Sequence, residues 1–244
     1  MRVAQSSILN PQSSILNPQS SILNPQPLTM FPRIKICCIS SEEEAKLAIR
    51  YGASALGLVG KMPSGPGVIS DEMIYRIARK VPPPIGTFLL TSETKPEDII
   101  RHHRHTMTNT IQLVDTLEER SYDQLRAAMP YVKLVQVIHV LDEGSVEEAI
   151  AASAEADALL LDSGNPNLDI KVLGGTGRTH DWKLSRKIRE SVSIPVFLAG
   201  GLRPENVRRA ADEVQPYGLD LCSGLKTEGK LDERKVEAFF REIY

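Results

Sequence analysis

The sequence predicts a single closed α/β barrel, the (β/α)8 or TIM barrel, over residues 30–244. From residue 31 onward, short apolar runs alternate strictly with amphipathic stretches, which is typical of parallel strands joined by helical crossovers. The count is eight strands and eight helices, and in a chain of this length the eighth strand can pair with the first. The alternative is an open doubly wound sheet. That class usually carries GxGxxG after its first strand, where this chain has RIKICCIS, and the near-match at 175–180 lacks the last glycine.

The first four units are marked by their breaks. A strand at 33–39 precedes a helix at 41–51 that ends at Gly52, and a strand at 55–59 precedes a helix at 71–80 that prolines 82–84 stop. A strand at 85–90 is followed by a helix that opens at Pro96, a residue suited to the first helical turn. The fourth unit is a strand at 110–114 with a helix at 122–129.

The last four units follow the same alternation. The predicted strands are 133–139, 158–161, 195–198 and 219–222, and the predicted helices are 146–153, about 182–190, 204–214 and 232–243. About twenty residues without a clear pattern follow Asp162. Long loops inside compact domains are uncommon and are usually functional, so this loop is a candidate part of a site.

The first 29 residues differ from the rest. The heptamer QSSILNP occurs at 5–11, 12–18 and 19–25, and a proline in every heptad excludes a coiled coil. With one charge, Arg2, and little apolar area, residues 1–29 are predicted to be a disordered tail, and Met30 is a candidate true start. The alternative is a binding segment that folds on a partner.

Composition excludes several classes. The net charge of −2 favours neither nucleic acid nor an anionic membrane surface as a partner, and no run is long enough to span a membrane. No signal peptide is recognisable. The three cysteines, Cys37, Cys38 and Cys222, have no metal-site spacing and suggest reduced thiols in the cytoplasm.

The active site of such a barrel lies at the carboxyl ends of its strands. In the first strand, the period of two places Ile34, Ile36 and Cys38 on the helix-facing side, and Lys35, Cys37 and Ile39 toward the barrel mouth. Cys37 is therefore a candidate site residue. The simpler interpretation, that it is a small buried core residue, stays open.

The sixth strand ends at Asp162, directly after three leucines. A carboxylate at this edge is a candidate acid or base, because its burial without a partner is costly. The alternative is that it caps the next turn.

Glycines follow three strands. They are Gly175 and Gly177, with Thr176 between them; Gly200 and Gly201 before the helix opening at Pro204; and Gly224 after Ser223. Bare backbone N–H groups and helix N-termini bind anions, and the loops after strands seven and eight form the usual phosphate site of these barrels. We therefore predict phosphate binding, with tight turns alone as the alternative.

Histidines are the remaining candidates. His102 and His105 could reach one metal ion, but a solvated helix C-terminus explains them better, and no metal is expected. His139, at a strand end, and His180, beside the glycine loop, are weaker site candidates.

Five segments, taken in order, resemble the phosphoribosylanthranilate isomerase family. They are KICC at 35–38, LLLD at 159–162, GGTG at 174–177 with Asp181-Trp182, LAGGLRPENV at 198–207, and DLCSG at 220–224. The resemblance implies a (β/α)8 barrel without a cofactor that performs an Amadori rearrangement of an aminoaldose phosphate to an aminoketose phosphate in tryptophan biosynthesis. It also implies a small phosphosugar ligand and a monomer or homodimer.

The same resemblance assigns roles. Cys37 matches the family's general base, and Asp162 matches its general acid. A thiol is a weak base at neutral pH, so a neighbour should favour the thiolate, and Lys35 on the same face is the candidate, with a further part in substrate binding. The phosphate would meet backbone groups at 175–177, 200–201 and 223–224.

Three positions depart from the family pattern. Cys38 replaces a glycine, QLVD at 112–115 replaces QLHG, and no arginine occurs between Arg50 and Arg76, where the family has serine-proline-arginine. That arginine holds the substrate carboxylate, and Arg178 or Lys61 could replace it. Two alternatives therefore remain: an isomerase of a different amino-sugar phosphate, and a non-catalytic phosphosugar-binding barrel.

Overall fold

The computed structural model describes residues 31–63, 65–118, 121–164 and 179–244. In these ranges, parallel strands β1 to β8 pair in sequence order, and β8 pairs back with β1 to close the barrel. The strands are Arg33–Ile36, Ala55–Val59, Gly86–Thr91, Thr110–Leu113, Lys133–His139, Ala158–Asp162, Val196–Leu198 and Gly218–Leu221. The helices α1 to α8 are Glu42–Tyr51, Asp71–Lys80, Pro96–Thr106, Ser121–Ala128, Gly144–Ser153, Trp182–Ser191, Pro204–Val214 and Glu233–Ile243. The predicted fold class is confirmed.

Local signals explain where the helices begin and end. The Ser41 hydroxyl accepts a hydrogen bond from the Glu44 N–H at 3.2 Å, and α1 ends at Gly52 with φ 109°. Pro96 and Pro204 occupy the first turns of α3 and α7, where a missing N–H costs nothing. These signals fix where α1, α3 and α7 begin, and so they fix the position of the loops that precede these three helices.

The apolar residues form two layers. Ile34 and Ile36 belong to a large layer between the strands and the surrounding helices. Phe88, Leu160 and Phe197 belong to a smaller cluster that fills the barrel interior, where the Phe88 and Phe197 rings meet edge to face at 6.0 Å. The strand faces predicted for Ile34, Ile36 and Cys37 are thus confirmed.

The end of the first strand differs from the prediction. β1 stops at Ile36, and Cys38 has φ 60°, in the left-handed region that side chains with a Cβ rarely adopt. Because this residue breaks the extended run, the period of two fails beyond it. Cys38 joins the interior cluster and Ile39 lies in the layer under the helices, so the faces predicted for these two residues were wrong.

The eighth strand begins and ends one residue earlier than predicted. It ends at Leu221 and is followed by a 3-10 turn, Ser223–Leu225. A short hairpin comes next, in which the strands Lys226–Thr227 and Lys230–Leu231 pair antiparallel. The Lys226 ammonium donates to the Cys38 carbonyl at 2.6 Å. This segment therefore covers the end of β1.

The histidines of α3 correct another expectation. His102 is hydrogen-bonded to Thr91 at 3.1 Å and to Asp71 at 3.2 Å, and buried His103 donates to the Thr108 carbonyl at 2.7 Å. His102 and His103 are therefore packing residues. For His102 this corrects the expected solvated helix end, whereas His105 is 63% exposed and agrees with that expectation. The described residues contain no group of three or more His, Cys, Asp or Glu side chains that could hold a metal ion. None of the helices in the described ranges is long and apolar enough to cross a membrane.

Candidate active site

A buried ion pair lies at the bottom of the barrel mouth. The Lys35 ammonium donates to the Asp220 carboxylate at 2.8 Å, with the two side chains 0% and 7% exposed. The ammonium also lies 5.3 Å from the centre of the Phe88 ring. Burial alone lowers the pKa of Lys35, but attraction to Asp220 and to Cys37 outweighs it and raises the pKa above the ordinary value. Lys35 is thus a fixed positive charge inside the barrel.

Cys37 lies directly beside this charge. A Cβ placed on Gly57 of β2 would lie 2.7 Å from the Cys37 sulfur and 3.1 Å from the Lys35 nitrogen, so both atoms border the same bare glycine. Contact with the Cys38 thiol lowers the pKa of the Cys37 thiol; burial opposes this, and attraction to Lys35 supports it. The net direction is downward, so the site favours the Cys37 thiolate.

All three cysteines meet here. Cys37 and Cys38 are buried in the interior cluster, and half-exposed Cys222 packs against it. Contacts with Cys222 and with Cys37, together with burial, raise the pKa of the Cys38 thiol well above its ordinary value. The expected role of Lys35 is therefore shared, because the Cys38 thiol has the larger effect on Cys37.

Asp162 lies on the inner face at the end of β6, separated from β1 by β7 and β8. One of its carboxylate oxygens accepts the Ser163 N–H at 2.8 Å. Burial raises the pKa of Asp162 despite this hydrogen bond and the attraction of His139 and Lys35. A carboxyl group of this kind holds its proton more strongly than an exposed one, as a general acid requires.

His139 is the register partner of Asp162 on β5. Its Nε2–H donates to the Val114 carbonyl at 3.2 Å, which leaves Nδ1 without a hydrogen-bond partner among the described residues. A cavity of about 320 Å³ opens beside it at the ends of β4 and β5, with Val114, Val137 and Glu148 in its lining. This volume is sufficient for a small ligand.

The glycine loops after β7 and β8 contact each other. Gly200 and Gly201 have φ 82° and 61°, and α7 begins three residues later at Pro204. A Cβ on Gly224 would lie 2.1 Å from the Leu202 carbonyl oxygen, so a side chain there would force the loops apart. A Cβ on Gly200 would lie 3.0 Å from His180 and from Ser163, which places this loop beside Asp162.

The predicted site residues are therefore largely together at one end of the barrel. Cys37, Lys35, Asp162 and the glycine loops at 200–201 and 223–224 share the mouth. Gly175, Thr176 and Gly177 lie outside the described residues, as does Arg178. His180 lies next to Gly200, and burial lowers its pKa to about 4.

Sequence reasoning missed Asp220 and the contact of Cys38 with the site. A signal for Asp220 was present, because Gly218 and Asp220 alternate with Leu219 and Leu221 and so face inward beside Lys35. An inward lysine needs a counter-ion, and β8 was the strand able to supply it. No comparable signal existed for Cys38, since its position depends on a backbone angle.

A closed eight-stranded barrel with ionisable groups and glycine loops at its carboxyl ends defines the class of (β/α)8 barrel enzymes. The family model for N-(5'-phosphoribosyl)anthranilate isomerase matches residues 34–242. The chain belongs to this family, whose members are aldose–ketose isomerases of tryptophan biosynthesis.

Curated relatives agree over most of the chain. N-(5'-phosphoribosyl)anthranilate isomerase 2 of Methanosarcina mazei is 38% identical over 211 residues, which cover 85% of this chain and 92% of the relative. The isomerase of Methanocella arvoryzae is 32% identical over 212 residues, covering 86% and 97%.

Solved structures agree as well. The Thermotoga maritima isomerase has a TM-score of 0.73 at 30% identity, and covers 87% of this chain and 98% of its own. A phosphoribosyl anthranilate isomerase in complex with reduced 1-(o-carboxyphenylamino)-1-deoxyribulose 5-phosphate has a TM-score of 0.70 at 29% identity, with the same coverage.

Proposed function

We propose that this chain isomerises N-(5'-phosphoribosyl)anthranilate to the corresponding 1-deoxyribulose 5-phosphate, with Cys37 as general base and Asp162 as general acid. Family membership supports the reaction, and the opposite pKa shifts of the two side chains support the roles. The observation that carries the proposal is the arrangement of a buried thiol beside the Lys35 ammonium and of a buried carboxyl group at the same barrel mouth.

In the proposed reaction, Cys37 and Asp162 act only by transferring protons, while the substrate itself breaks and forms its bonds. Asp162 gives its proton to the ribose ring oxygen, the bond from that oxygen to C1 breaks, and the nitrogen lone pair forms a C1–N double bond. The Cys37 thiolate then removes the proton from C2, which yields an enolamine. Cys37 then gives its proton to C1, and the C2 hydroxyl proton passes to Asp162, which yields the aminoketose and returns both side chains to their starting states. Each positioned proton transfer contributes about 10²–10⁴-fold to the rate.

The phosphate is assigned to the glycine loops. In our proposal, backbone N–H groups at Gly200, Gly201, Ser223 and Gly224 bind it, supported by the partial positive charge at the start of α7. Phosphate binding by Gly175, Thr176 and Gly177 stays a prediction. The mutual contact of the 200–202 and 223–225 loops supports this part of the site, because it orders both loops before the ligand arrives.

The aglycone end of the proposed site departs from the family pattern. Lys61 is the one basic residue between Arg50 and Arg76, and it is exposed. This observation favours the second candidate, an isomerase of another amino-sugar phosphate, because a bidentate arginine would otherwise bind the anthranilate carboxylate. The deciding measurement is calorimetric titration with the reduced product analogue and with ribose 5-phosphate. If the aromatic part adds several kcal/mol, the family substrate is the substrate; if it adds almost nothing, the second candidate is favoured.

The test of the roles is kinetic. Cys37→Ser and Asp162→Asn should each lower kcat/KM by about 10²–10⁴-fold, measured as the loss of anthranilate fluorescence. Each variant should keep the wild-type circular dichroism spectrum, since each is close to isosteric. A variant that retains most of its activity would remove that residue from the proposed mechanism.

The cellular setting follows from the same proposal. Free thiols at all three cysteines suit the reducing cytoplasm, where we place the enzyme. A solved Thermotoga maritima relative is described as dimeric, which supports a homodimer beside the monomer as the expected states. Light scattering on the purified chain distinguishes them.

A further inference from the structure

Of the three thiols at the barrel mouth, Cys37 alone has a role in the proposed isomerisation. Cys38 and Cys222 have none. Cys38 and Cys222 are close to each other, although 184 positions separate them in the numbering. Two backbone contacts fix this approach: the Cys37 N–H donates to the Leu221 carbonyl at 2.7 Å, and the Lys226 ammonium donates to the Cys38 carbonyl at 2.6 Å.

The conformation of Cys38 is what brings its sulfur into the cluster. With ordinary strand angles, residue 38 would face the helices, as Ile36 does. With φ 60° it enters the interior cluster instead, between Cys37 and Cys222. A left-handed conformation for a residue with a Cβ costs about 1–2 kcal/mol, so it persists only where its surroundings enforce it.

We propose that Cys38 and Cys222 form a resolving dithiol, which returns an oxidised Cys37 to its thiolate and takes up the oxidation as a disulfide between themselves. This inference goes beyond the isomerisation. The oxidant is a hydroperoxide, and Cys37 is the point of entry because the site favours its thiolate, the form that attacks peroxides.

The reaction begins at Cys37. The Cys37 thiolate attacks one peroxide oxygen, the O–O bond breaks, and the departing hydroxide takes the Cys38 proton to form water. The Cys38 sulfur then attacks the Cys37 sulfenic acid, and the S–O bond breaks to release a second hydroxide. That hydroxide takes the Cys222 proton, the Cys222 sulfur attacks Cys38, and Cys37 leaves as thiolate. One peroxide and two thiols become one disulfide and two waters.

Chain geometry explains the last step. Adjacent Cα atoms are about 3.8 Å apart, whereas an unstrained disulfide needs about 4.4–6.8 Å. A disulfide between Cys37 and Cys38 is therefore strained and easily exchanged. Cys38 and Cys222 lie on separate segments, so their disulfide escapes this restriction and is the stable end point.

The test uses the reduced full chain and an equimolar amount of hydrogen peroxide, followed by alkylation, trypsin and mass spectrometry. The chain has three cysteines, so no other thiol competes. Residues 36–46 should become linked to residues 210–226 through Cys38 and Cys222, with Cys37 alkylated. In Cys37→Ser, the rate of disulfide formation should fall at least roughly tenfold, because the reactive thiolate is gone.

Matched variants complete the experiment. Under excess peroxide, Cys37 in Cys38→Ser and in Cys222→Ser should reach sulfinic and sulfonic acid faster than in the wild type, with Cys222→Ala as a second variant at the half-exposed position. Equal rates in all proteins would overturn the proposal, and so would a stable disulfide that includes Cys37. Since the readout is mass, failure of the isomerase proposal leaves this test intact.

Discussion

Lys35 and Asp220 show how one residue pair sets the electrostatics of the mouth. Lys35 is completely buried, and its ammonium has the Asp220 carboxylate at 2.8 Å. Two ions removed from water interact strongly, but each pays for its desolvation, so the pair contributes little net stability. Its effect is instead a fixed positive charge beside Cys37, which favours the thiolate. We expect the pair to matter more for the site than for the fold.

Although the pair contributes little net stability, removing one partner alone should lower the free energy of unfolding, because the other charge stays buried without a counter-ion. Lys35→Met leaves the Asp220 carboxyl group buried without its counter-ion, and the free energy of unfolding should fall by about 3–5 kcal/mol in urea denaturation. Lys35→Met with Asp220→Leu should recover most of that loss. Lys230→Met, on the exposed hairpin, is the control and should change stability little. A double variant as unstable as the single one would show that packing, rather than charge, causes the loss.

His180 gives a prediction for pH. Burial lowers its folded-state pKa to about 4, below the ordinary value of 6.5, so the folded protein resists protonation at this residue. Between these two values the unfolded chain binds more protons, and stability must fall as the pH falls. The expected loss from pH 6.5 to pH 4 is of the order of 3 kcal/mol. His180→Asn should flatten the urea-unfolding profile in this window, while an unchanged slope would assign the pH dependence to other groups.

Cys38 tests the cost of its backbone angle. Cys38→Gly and Cys38→Ala both remove the thiol, but only glycine tolerates φ 60° without strain. The glycine variant should therefore be more stable than the alanine variant by about 1 kcal/mol, measured by thermal or urea unfolding. If alanine is equal or better, the left-handed conformation relaxes in the variants and the strain is not intrinsic to the position.

At the scale of the elements, β1 shows what periodicity can and cannot predict. Ile34 to Cys37 follow the strand alternation because each neighbour on β2 and β8 holds them extended. The rule fails at Cys38, where the backbone turns and carries Ile39 to the opposite face. Sequence patterns report which face is apolar, but not the residue at which a strand stops. Asp220 differs from Cys38, because the predicted pairing of the eighth strand with the first and the alternation of Gly218 and Asp220 with leucines already indicated an inward carboxylate beside Lys35.

The packing of β2 against β1 leads to a prediction of its own. A Cβ at Gly57 would lie 2.7 Å from the Cys37 sulfur and 3.0 Å from the Cys37 Cα, so Gly57→Ala must displace β1. Overpacking of this kind typically costs about 1–3 kcal/mol, and activity should fall together with stability. Gly144→Ala, at the start of α5, is the matched control and should be close to neutral. A stable and fully active Gly57→Ala would mean that the strands can separate freely.

At the scale of the whole molecule, the sequence predicted the barrel because its evidence is distributed. Eight alternating units, each with its own turn and cap signals, constrain the answer even where single boundaries move by a few residues. The positions of the proposed catalytic pair and of the loops after β7 and β8 were accessible for the same reason, since strand ends of a barrel converge on one face. The thiol cluster was not accessible, because it depends on the left-handed backbone angle of Cys38, which no local pattern contains.

The N-terminal repeats at 1–29 are expected to contribute neither to the stability nor to the activity of the folded part. Deleting residues 1–29 should leave the melting temperature and the isomerase rate unchanged, because repeats with a proline in every heptad supply little apolar area to the barrel. The truncated chain should be compared with the full one by calorimetry and by the fluorescence assay. A fall of several degrees on truncation would show that the repeats dock on the folded part.

The pairing of β1 with β8 has a consequence for synthesis on the ribosome. Cys37 is among the first folded residues to emerge, whereas Ser223 and Gly224 emerge near the end. These residues come together only when β8 pairs with β1. If Cys37 and residues 223–224 act together as proposed, we expect the nascent chain to be inert through nearly all of its translation. Phe31 and Tyr244 then pack edge to face, with ring centres 5.2 Å apart, so the first and the last part of the folded chain lie side by side. Activity appears only when the newest residues reach the oldest.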